Sequence, residues 1–242
     1  MARSRRARVV AVIPARYASV RLPGKALLRE TGKYLVQHVW EQVTKARRID
    51  RVLIATDDPR IAKAAASFGA EVAMTSPALP NGTSRCAAAV RKIACDRVIN
   101  IQGDEPEIDP AFVDKAVSLL SSCEMSTVAT TFLTPEEAVN PARVKVVLDR
   151  DGYALYFSRA RIPSAGPALL HLGLYGFTKS FLMKFSKLPA TPLAEQERLE
   201  QLRVLENGHP IRVAVVHTEN ASGIDTPADY AAFVARWSRA RS

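Results

Sequence analysis

Three basic side chains that could bind phosphate stand close together near the start of the sequence: Arg16, Arg21 and Lys25. They follow the apolar run Val9–Ile13, which is typical of a strand buried on both faces. Parallel sheets bind ligands beyond the carboxyl ends of their strands, and arginine matches phosphate oxygens. The stretch therefore predicts a polyphosphate site in which Gly24 lets the backbone approach the ligand. A solvated basic loop is the alternative.

Two carboxylates are candidate ligands for magnesium, which usually takes one or two protein carboxylates plus phosphate oxygens and water. Asp104 follows a predicted strand, and the alternation of an extended chain places Gln102 on its side and Glu105 on the other. Asp225 follows a later predicted strand. Because it stands just before Thr226, a helix cap is an equally good interpretation of Asp225 from the residues alone.

The segment Asn81–Arg85 precedes a predicted helix and contains three residues of possible use to a ligand site. Gly82 allows close approach of the backbone, Thr83 is expected to cap the helix, and Arg85 is long enough to reach a phosphate or a base. From the residues alone, a capped helix start is the simpler interpretation.

Two pairs of polar residues lie further along the chain. His171 and Tyr175 are four apart in a predicted strand and should face one side. A histidine at such a place is more often a hydrogen-bonded core residue than a catalyst. Glu200 and Gln201 lie on a predicted helix, where a solvated face is the simpler interpretation.

Short strands and helices alternate through the first part of the chain, which predicts right-handed crossovers and a mainly parallel sheet. We therefore expect a Rossmann-like α/β fold whose sheet is flanked by helices. The predicted strands are 9–13, 51–56, 71–75 and 97–101, and the predicted helices are 34–43, one beginning after Asp58 and ending near Gly69, and 83–94.

The pattern changes in the second half. Runs 144–148 and 153–157 flank an Asp-Gly sequence that predicts a hairpin, and a strand, a helix and a late strand are expected at 171–177, 191–207 and 212–216. We interpret the segment of about 141–177 as a smaller inserted β-rich subdomain. The chain 1–242 is predicted to be one domain with a basic tail at residues 1–8.

Composition narrows the function classes. The chain has 242 residues, 48% of them apolar, and a formal charge of +10, which suits an anionic ligand. A nucleic-acid-binding module is an alternative, but the cations are dispersed and no aromatic cluster accompanies them. Three cysteines without zinc-ligand spacing fit a reducing, cytoplasmic compartment. No stretch approaches the length of a membrane span.

Seven segments of the sequence, in order, resemble the signature blocks of the 3-deoxy-manno-octulosonate (Kdo) cytidylyltransferase family, also called CMP-Kdo synthetases. Together they extend over nearly the whole chain. The segments are Ile13–Lys25, Asn81–Arg85, Asn100–Pro106, Ala154–Arg159, His171–Tyr175, Leu199–Arg203 and Gly223–Pro227.

The resemblance implies a magnesium-dependent enzyme of lipopolysaccharide biosynthesis that transfers CMP from CTP to Kdo, an acidic eight-carbon sugar, and releases pyrophosphate. It implies a homodimer to which segment 141–177 contributes, with no nucleic acid or membrane partner. It assigns catalysis to Arg16, Lys25, Asp104 and Asp225, the last two as metal ligands. The implied nucleotide-binding residues are Pro14, Ala15, Arg16, Ser19, Arg21, Lys25, Asn81, Gly82 and Arg85, and the implied sugar-binding residues are Gln102, His171, Tyr175, Glu200 and Gln201.

Two departures from the family pattern affect these assignments. Ser84 replaces the usual acidic residue before Arg85, and segment 164–170 is shorter than in many relatives. Because the longer loop of those relatives carries aromatic and basic residues, the contact with the sugar carboxylate and the choice of sugar stay open. The alternatives are a cytidylyltransferase for amino-Kdo or a sialic acid, a nucleic-acid-binding module, and a catalytically silent sugar-nucleotide sensor.

Overall fold

A nine-stranded sheet organises the chain. The computed structural model describes residues 7–19, 21–132, 134, 136–218 and 223–240. Its strands are β1 (Val9–Ala15), β2 (Arg51–Thr56), β3 (Glu71–Met74), β4 (Arg97–Ile101), β5 (Met125–Thr131), β6 (Lys145–Leu148), β7 (Ala154–Ser158), β8 (Leu169–Thr178) and β9 (Ile211–Val216). The helices are α1 (Leu35–Val43), α2 (Pro59–Ser67), α3 (Gly82–Val90), α4 (Pro110–Leu119), α5 (Lys179–Phe185), α6 (Pro192–Glu197), α7 (Leu202–Glu206) and α8 (Pro227–Arg239).

The strand order confirms the predicted fold class. The sheet runs β3-β2-β1-β4-β8-β5-β9, with β6 and β7 attached beside β8. Strands β1 to β4 are parallel to one another, and β5 is parallel to β9. Strand β8 is antiparallel to both β4 and β5. The result is a mainly parallel sheet flanked by helices.

Strand β1 shows why the sheet is buried on both faces. Its alternate side chains enter two apolar clusters. Val9, Ala11 and Ile13 pack in the cluster that includes α1, α2 and α4. Val10 and Val12 pack in the cluster that includes α3, α5 and α7. An uninterrupted apolar run is what such a strand requires.

Local turn chemistry behaves as predicted around α2 and in the hairpin. Asp58 accepts a hydrogen bond from the amide of Arg60 at 2.8 Å and caps α2, while Gly69, with φ of 82°, follows its end. Between β6 and β7, Asp149 accepts from the amide of Tyr153 at 2.8 Å, and Gly152 takes φ of 82°. Both glycines occupy the left-handed region that other residues avoid.

The segment predicted as a subdomain shares the main sheet. Its third strand, β8, lies between β4 and β5, and only the β6–β7 hairpin extends beyond the central order. The role of this segment in a dimer stays a prediction.

The prediction of a single helix at 191–207 is wrong. The chain forms α6 and α7, separated at Arg198, whose φ is 55°. The cause is tertiary, because Arg159 Nε donates to the carbonyl of Glu197 at 2.9 Å. Since this carbonyl accepts from a distant guanidinium, it favours the end of α6 at that point.

Three elements were not predicted from the sequence: α4, β5 and α5. The basic tail lies outside the described residues as far as residue 6, whereas the amide of Arg8 donates to Asp96 at 2.6 Å at the start of the sheet. Among the helices that the structure describes, none is long and apolar enough to cross a membrane.

Candidate active site

A cavity of about 380 Å³, the first cavity, opens at the carboxyl ends of β1 and β4. Open parallel sheets bind ligands at this position. Most residues predicted to bind nucleotide line it, whereas Asn81 and Arg85 do not. The lining residues among those predictions are Pro14, Ala15, Arg16, Ser19, Arg21, Lys25 and Gly82.

A second cavity, of about 540 Å³, adjoins the first. The two share Arg21, Gln102, Asp104 and Asp225 in their walls. Of the residues predicted to bind sugar, all but Glu200 line the second cavity, namely Gln102, His171, Tyr175 and Gln201. The two predicted substrate sites are therefore neighbours with a common border.

Two carboxylates and two cations meet at this border. Lys25 Nζ lies 2.5 Å from Asp104 Oδ2 and 3.4 Å from Asp225 Oδ1, and it donates to the carbonyl of Ile224 at 3.0 Å. Arg21 Nη2 lies 2.8 Å from the same oxygen of Asp225. The side chains of Lys25 and Asp104 are largely shielded from water, at 17% and 21% exposure, so their attraction is weakly screened.

The border carboxylates suit a magnesium ion. Asp104 and Asp225 offer oxygen ligands within 3.4 Å of one point, the Lys25 Nζ atom. Within the described ranges, no three or more His, Cys, Asp and Glu side chains group as a metal site. Magnesium commonly uses two carboxylates together with substrate phosphates and water. The donor set therefore fits magnesium bound along with a phosphorylated ligand.

Asp225 does not cap the following helix. The N-cap of α8 is Thr226, whose hydroxyl accepts from the amide of Asp229 at 3.2 Å, while the Asp229 carboxylate accepts from the Thr226 amide at 2.8 Å. This reciprocal capping box satisfies the helix start. The capping interpretation of Asp225 is therefore wrong, and its carboxylate faces Lys25 and Arg21 instead.

Gly24 serves the turn that presents Lys25. Its φ is 68°, and a Cβ atom there would lie 3.2 Å from the ring of Tyr17. It does not line either cavity, so the expectation that it approaches a ligand is not met. The left-handed conformation bends the chain into the 3₁₀ turn Lys25–Leu27 and directs the lysine to the border.

Close packing of three segments forms the floor of the first cavity. A Cβ atom on Gly103 would lie 2.9 Å from the carbonyl oxygen of Pro14, and one on Gly82 would lie 3.3 Å from the Pro14 ring. Only glycine permits this approach at position 103, because the neighbouring atom belongs to the backbone. The absence of a side chain at Gly103 and Gly82 thus brings the ends of β1 and β4 and the start of α3 together.

Arg16 and Ser19 each use one hydrogen-bond donor within the protein and keep others for a ligand. Arg16 Nη2 donates to the carbonyl of Leu79 at 2.8 Å, which fixes the guanidinium at the wall of the first cavity. The amide of Ser19 donates to the carbonyl of Tyr17 at 2.9 Å. Ser19 therefore offers its hydroxyl, rather than this amide, to a ligand.

The start of α3 differs from the prediction. Asn81, not Thr83, caps the helix by accepting from the amide of Ser84 at 2.8 Å. Arg85 is fully buried; its Nη1 donates to Thr75, and its Nη2 lies 3.2 Å from Asp57. In this arrangement Arg85 does not reach the first cavity.

Thr83 and Glu200, which line neither cavity, are in contact with each other. The Thr83 hydroxyl donates to Glu200 Oε1 at 2.6 Å and accepts from Asn100 Nδ2 at 3.3 Å. Burial raises the pKa of Glu200, and its second oxygen has no partner among the described groups. Glu200 is therefore a half-buried residue between α6 and α7 whose carboxylate points inward, and the solvated helix face is the wrong interpretation.

His171 is a neutral hydrogen-bond acceptor at the wall of the second cavity. Its Nε2 lies 2.8 Å from the hydroxyl of Thr127, which itself donates to the carbonyl of Leu174 at 2.6 Å. Since a hydroxyl has one proton, Thr127 must accept from Nε2–H, which leaves the lone pair on Nδ1. Burial lowers the pKa of His171 to about 3, so the ring stays uncharged at neutral pH. Nδ1 can accept from a ligand hydroxyl.

Tyr175 and Gln201 supply a hydrogen-bond donor, whereas His171 supplies an acceptor. The hydroxyl of Tyr175 donates to Gln201 Oε1 at 3.2 Å, so the oxygen of this side-chain amide is occupied and its nitrogen, Nε2, is left to bind another group. This nitrogen is buried and has no partner in the described part of the chain. A buried donor without a partner is costly, and Gln201 lines the second cavity, so a ligand oxygen would satisfy it.

Glu105 lines the second cavity and not the first. Burial and the neighbouring charge of Asp104 raise the pKa of Glu105 to about 8. Its carboxyl group therefore takes up a proton more readily than an ordinary glutamate does.

Sequence reasoning missed the cations of the second cavity, Arg143 and Arg159. Arg159 Nη1 donates to the carbonyl of Pro141 at 3.1 Å, which ties the end of β7 to the segment before β6. The sequence did mark Arg159, which is the last residue of the block Ala154–Arg159. Its neighbours in space are distant in sequence, however, so its place beside the second cavity could not be derived.

Comparison with known proteins decides the family. A cytidylyltransferase family model matches residues 10–213. The mitochondrial 3-deoxy-manno-octulosonate cytidylyltransferase of Arabidopsis thaliana is 47% identical over 93% of this chain and 81% of its own. The chain belongs to the Kdo cytidylyltransferase family. Members of this family are nucleotidyltransferases, and this chain is therefore an enzyme of that class.

Two further relatives extend the comparison within the Kdo cytidylyltransferase family. A solved structure of CMP:2-keto-3-deoxy-manno-octonic acid synthetase complexed with CTP has a TM-score of 0.91 and 36% identity, over 96% of this chain and 99% of that one. An 8-amino-3,8-dideoxy-manno-octulosonate cytidylyltransferase from a Shewanella strain is 42% identical over 91% of this chain and 95% of its own. Relatives of this chain are thus named for two different sugars.

Proposed function

We propose that this chain transfers CMP from CTP to Kdo, giving CMP-Kdo and pyrophosphate. The observation that carries the proposal is the shared border of the two cavities, where Lys25, Asp104 and Asp225 converge. Cations suited to a triphosphate line one side, and both neutral hydrogen-bonding groups and cations suited to an acidic sugar line the other. The reacting atoms of both substrates would meet at this border.

The reaction follows from that placement. A lone pair on the anomeric hydroxyl oxygen of the sugar forms the bond to the α-phosphorus of CTP. The bond from that phosphorus to the bridging oxygen breaks, pyrophosphate leaves with the electron pair, and the hydroxyl proton passes to water. Arg16, Arg21 and Lys25 would stabilise the charge on the triphosphate and on the leaving group. Catalysis here is positioning and electrostatic stabilisation, without a protein nucleophile.

Magnesium is the proposed cofactor, with Asp104 and Asp225 as its protein ligands. When bound, it would act as a Lewis acid that neutralises phosphate charge. Both carboxylates already face cations at the border, so they are directed to the place where that charge is needed. When magnesium takes these carboxylates, Lys25 and Arg21 would lose their ion pairs. Both cations would then be available to bind the triphosphate.

The second cavity supports a hydroxyl-rich acceptor. His171 offers an acceptor at Nδ1 and Gln201 offers a donor at Nε2, so one hydroxyl group of a sugar can satisfy each. Arg143 and Arg159 bring positive charge to the same wall, which suits the carboxylate of an acidic sugar. We assign this carboxylate to that side of the cavity.

An amino-Kdo cytidylyltransferase is the second candidate, favoured by the 42% identity to a relative named for that sugar. A sialic acid remains the third acceptor to compare. Membership in an enzyme family argues against the nucleic-acid-binding module, and the two border carboxylates argue against a silent sensor. We further propose a cytoplasmic location, which three free cysteines suit, and a homodimer, which the resemblance to the family implies.

Pyrophosphate release tests the proposal. Each of CTP, ATP, GTP and UTP is combined with Kdo, 8-amino-Kdo and a sialic acid, with and without magnesium. We expect turnover with CTP, Kdo and magnesium together and a loss of at least tenfold when any one is omitted or replaced. Equal turnover with ATP, or none with any acidic sugar, would overturn it. Faster turnover with 8-amino-Kdo than with Kdo would select the second candidate.

A further inference from the structure

Lys145 is a buried cation that donates, among the residues that the structure describes, to three main-chain carbonyls. Its side chain has no exposed surface. Nζ lies 3.0 Å from the carbonyl oxygen of Asn140, 2.6 Å from that of Arg143 and 2.6 Å from that of Arg159. An ammonium group has three N–H donors, so each proton has an acceptor.

The three carbonyls belong to residues whose side chains line the second cavity: Asn140, Arg143 and Arg159. Two of them lie in the segment that enters β6, and the third follows the end of β7. Lys145 itself pairs with Ser158 across the hairpin. One ammonium group therefore joins the two chain segments that form a single wall of that cavity.

The charge of Lys145 is not cancelled by a direct ion pair among the described residues. Burial lowers its pKa, while the more distant charge of Glu197 acts in the opposite direction. Glu197 itself accepts from the hydroxyl of Ser158 at 2.7 Å and from the amide of Arg159 at 2.8 Å. Burying a cation without an ion pair is costly unless all of its hydrogen bonds are made. The ammonium group of Lys145 therefore favours the one arrangement of the wall in which all three carbonyls reach it.

We propose that Lys145 is a positioning residue for the anionic sugar, acting through the cavity wall that its ammonium group fixes. This inference rests on the proposed function for the nature of the ligand. Lys145 does not touch the first cavity, and its three carbonyl partners flank the second one only. Its loss should therefore weaken binding of the acidic sugar without altering binding of CTP.

The test is Lys145→Met, which keeps an unbranched side chain shorter by one heavy atom and removes the charge and the donors. We expect the KM for the acidic sugar to rise at least tenfold, while the Kd for CTP, measured by calorimetry, changes less than twofold. Hydrogen exchange of the amides in 142–146 and 158–160 should become faster. Lys145→Arg, which keeps the charge and some donors, should restore part of the sugar affinity.

The matched control is Lys179→Met. Lys179 Nζ also donates to main-chain carbonyls, those of Ile93 at 2.5 Å and Arg91 at 3.4 Å, but it lines neither cavity. This variant should lose stability and leave both substrate constants unchanged. If Lys179→Met also raised the KM for the sugar and left the Kd for CTP unchanged, the effect of Lys145→Met would reflect general destabilisation and the inference would fail.

The readouts separate this inference from the proposed function. If the unaltered protein turns over no acidic sugar, the proposed function fails, and hydrogen exchange still shows whether Lys145 fixes the wall. Unchanged exchange in Lys145→Met, or an unchanged sugar KM in an active variant, overturns the inference alone. Should Lys145→Met not fold, the same measurements are made on Lys145→Gln, which removes the charge and keeps a polar side chain, and an unchanged sugar KM together with unchanged exchange in that variant would overturn the inference.

Discussion

The hydroxyl of Thr83 donates to the carboxylate of Glu200 at 2.6 Å, although the two residues are 117 positions apart. Thr83 lies beside Gly82, at the floor of the first cavity, and Glu200 lies beside Gln201, at the wall of the second. The contact therefore links the segments that bear the two predicted substrate sites. Because Thr83 is buried and Glu200 is half-buried, the link is sensitive to the loss of one hydroxyl.

Replacing Thr83 with valine tests this link, since valine has nearly the same shape without the hydroxyl. Glu200 and Asn100 would each lose a partner in the interior. We expect the free energy of unfolding to fall by about 1–3 kcal/mol, the usual cost of a buried polar group without a partner. Urea unfolding measures it. Thr83→Ser, which keeps the hydroxyl, should stay within about 1 kcal/mol of the original, and equal stability of both variants would contradict the expectation.

Asp225→Asn should separate activity from stability. The cap of α8 is formed by Thr226 and Asp229, so the free energy of unfolding should change by less than about 0.5 kcal/mol. Turnover should fall by orders of magnitude, because a lost metal contact of several kcal/mol costs about tenfold for each 1.4 kcal/mol. Pyrophosphate release over a magnesium titration measures this.

A carboxylate that does cap a helix supplies the control. Asp109 accepts from the amide of Ala111 at 2.8 Å at the start of α4 and lines neither cavity. Asp109→Ala should cost about 0.5–2 kcal/mol of stability and leave turnover nearly unchanged. Normal turnover and normal magnesium dependence in Asp225→Asn would remove that residue from the metal site.

His171 should make stability depend on pH on the acidic side. Its pKa is about 3 in the fold, against an ordinary value of 6.5, because the ring is buried. The unfolded chain thus takes up a proton that the fold excludes, so stability falls as pH drops from about 6.5 towards 3. One such group contributes a slope of about 1.4 kcal/mol per pH unit.

The variant His171→Gln checks this contribution, because its amide can still donate to Thr127 and does not titrate. Urea unfolding at pH 8, 7, 6, 5 and 4 compares the two proteins. The variant should lose less stability than the original between pH 6 and pH 4, whatever its offset at pH 8. Parallel curves would show that His171 does not carry the acid dependence.

Gly103→Ala should disrupt the floor of the first cavity. The new methyl group would lie 2.9 Å from the carbonyl oxygen of Pro14, so the backbone must shift, at a cost of about 1–3 kcal/mol. We expect CTP affinity to fall at least tenfold by calorimetry. In Gly82→Ala the nearest atom, at 3.3 Å, belongs to the Pro14 ring, which can move slightly. Similar affinities of the two variants would contradict this account.

The sequence by itself determined the elements whose signals are local. Strand β1 follows from an apolar run, the cap at Asp58 from a side chain two residues from its partner, and the hairpin from an Asp-Gly turn. The loop that carries Arg16, Arg21 and Lys25 was placed correctly for the same reason. A ligand site at the end of a parallel strand requires only that the strand and its successor be recognised.

Only the tertiary structure decided which partner each polar side chain takes. Thr83 bonds Glu200 while Asn81 caps the helix, and Arg85 turns into the core towards Asp57. Arg159 takes the carbonyl of Glu197 and favours an end to α6 there. Periodicity and turn chemistry depend on residues within about four positions of one another, whereas these bonds depend on which distant segments the sheet places side by side. A side chain with several possible partners therefore acquires its role only when the strands have assembled.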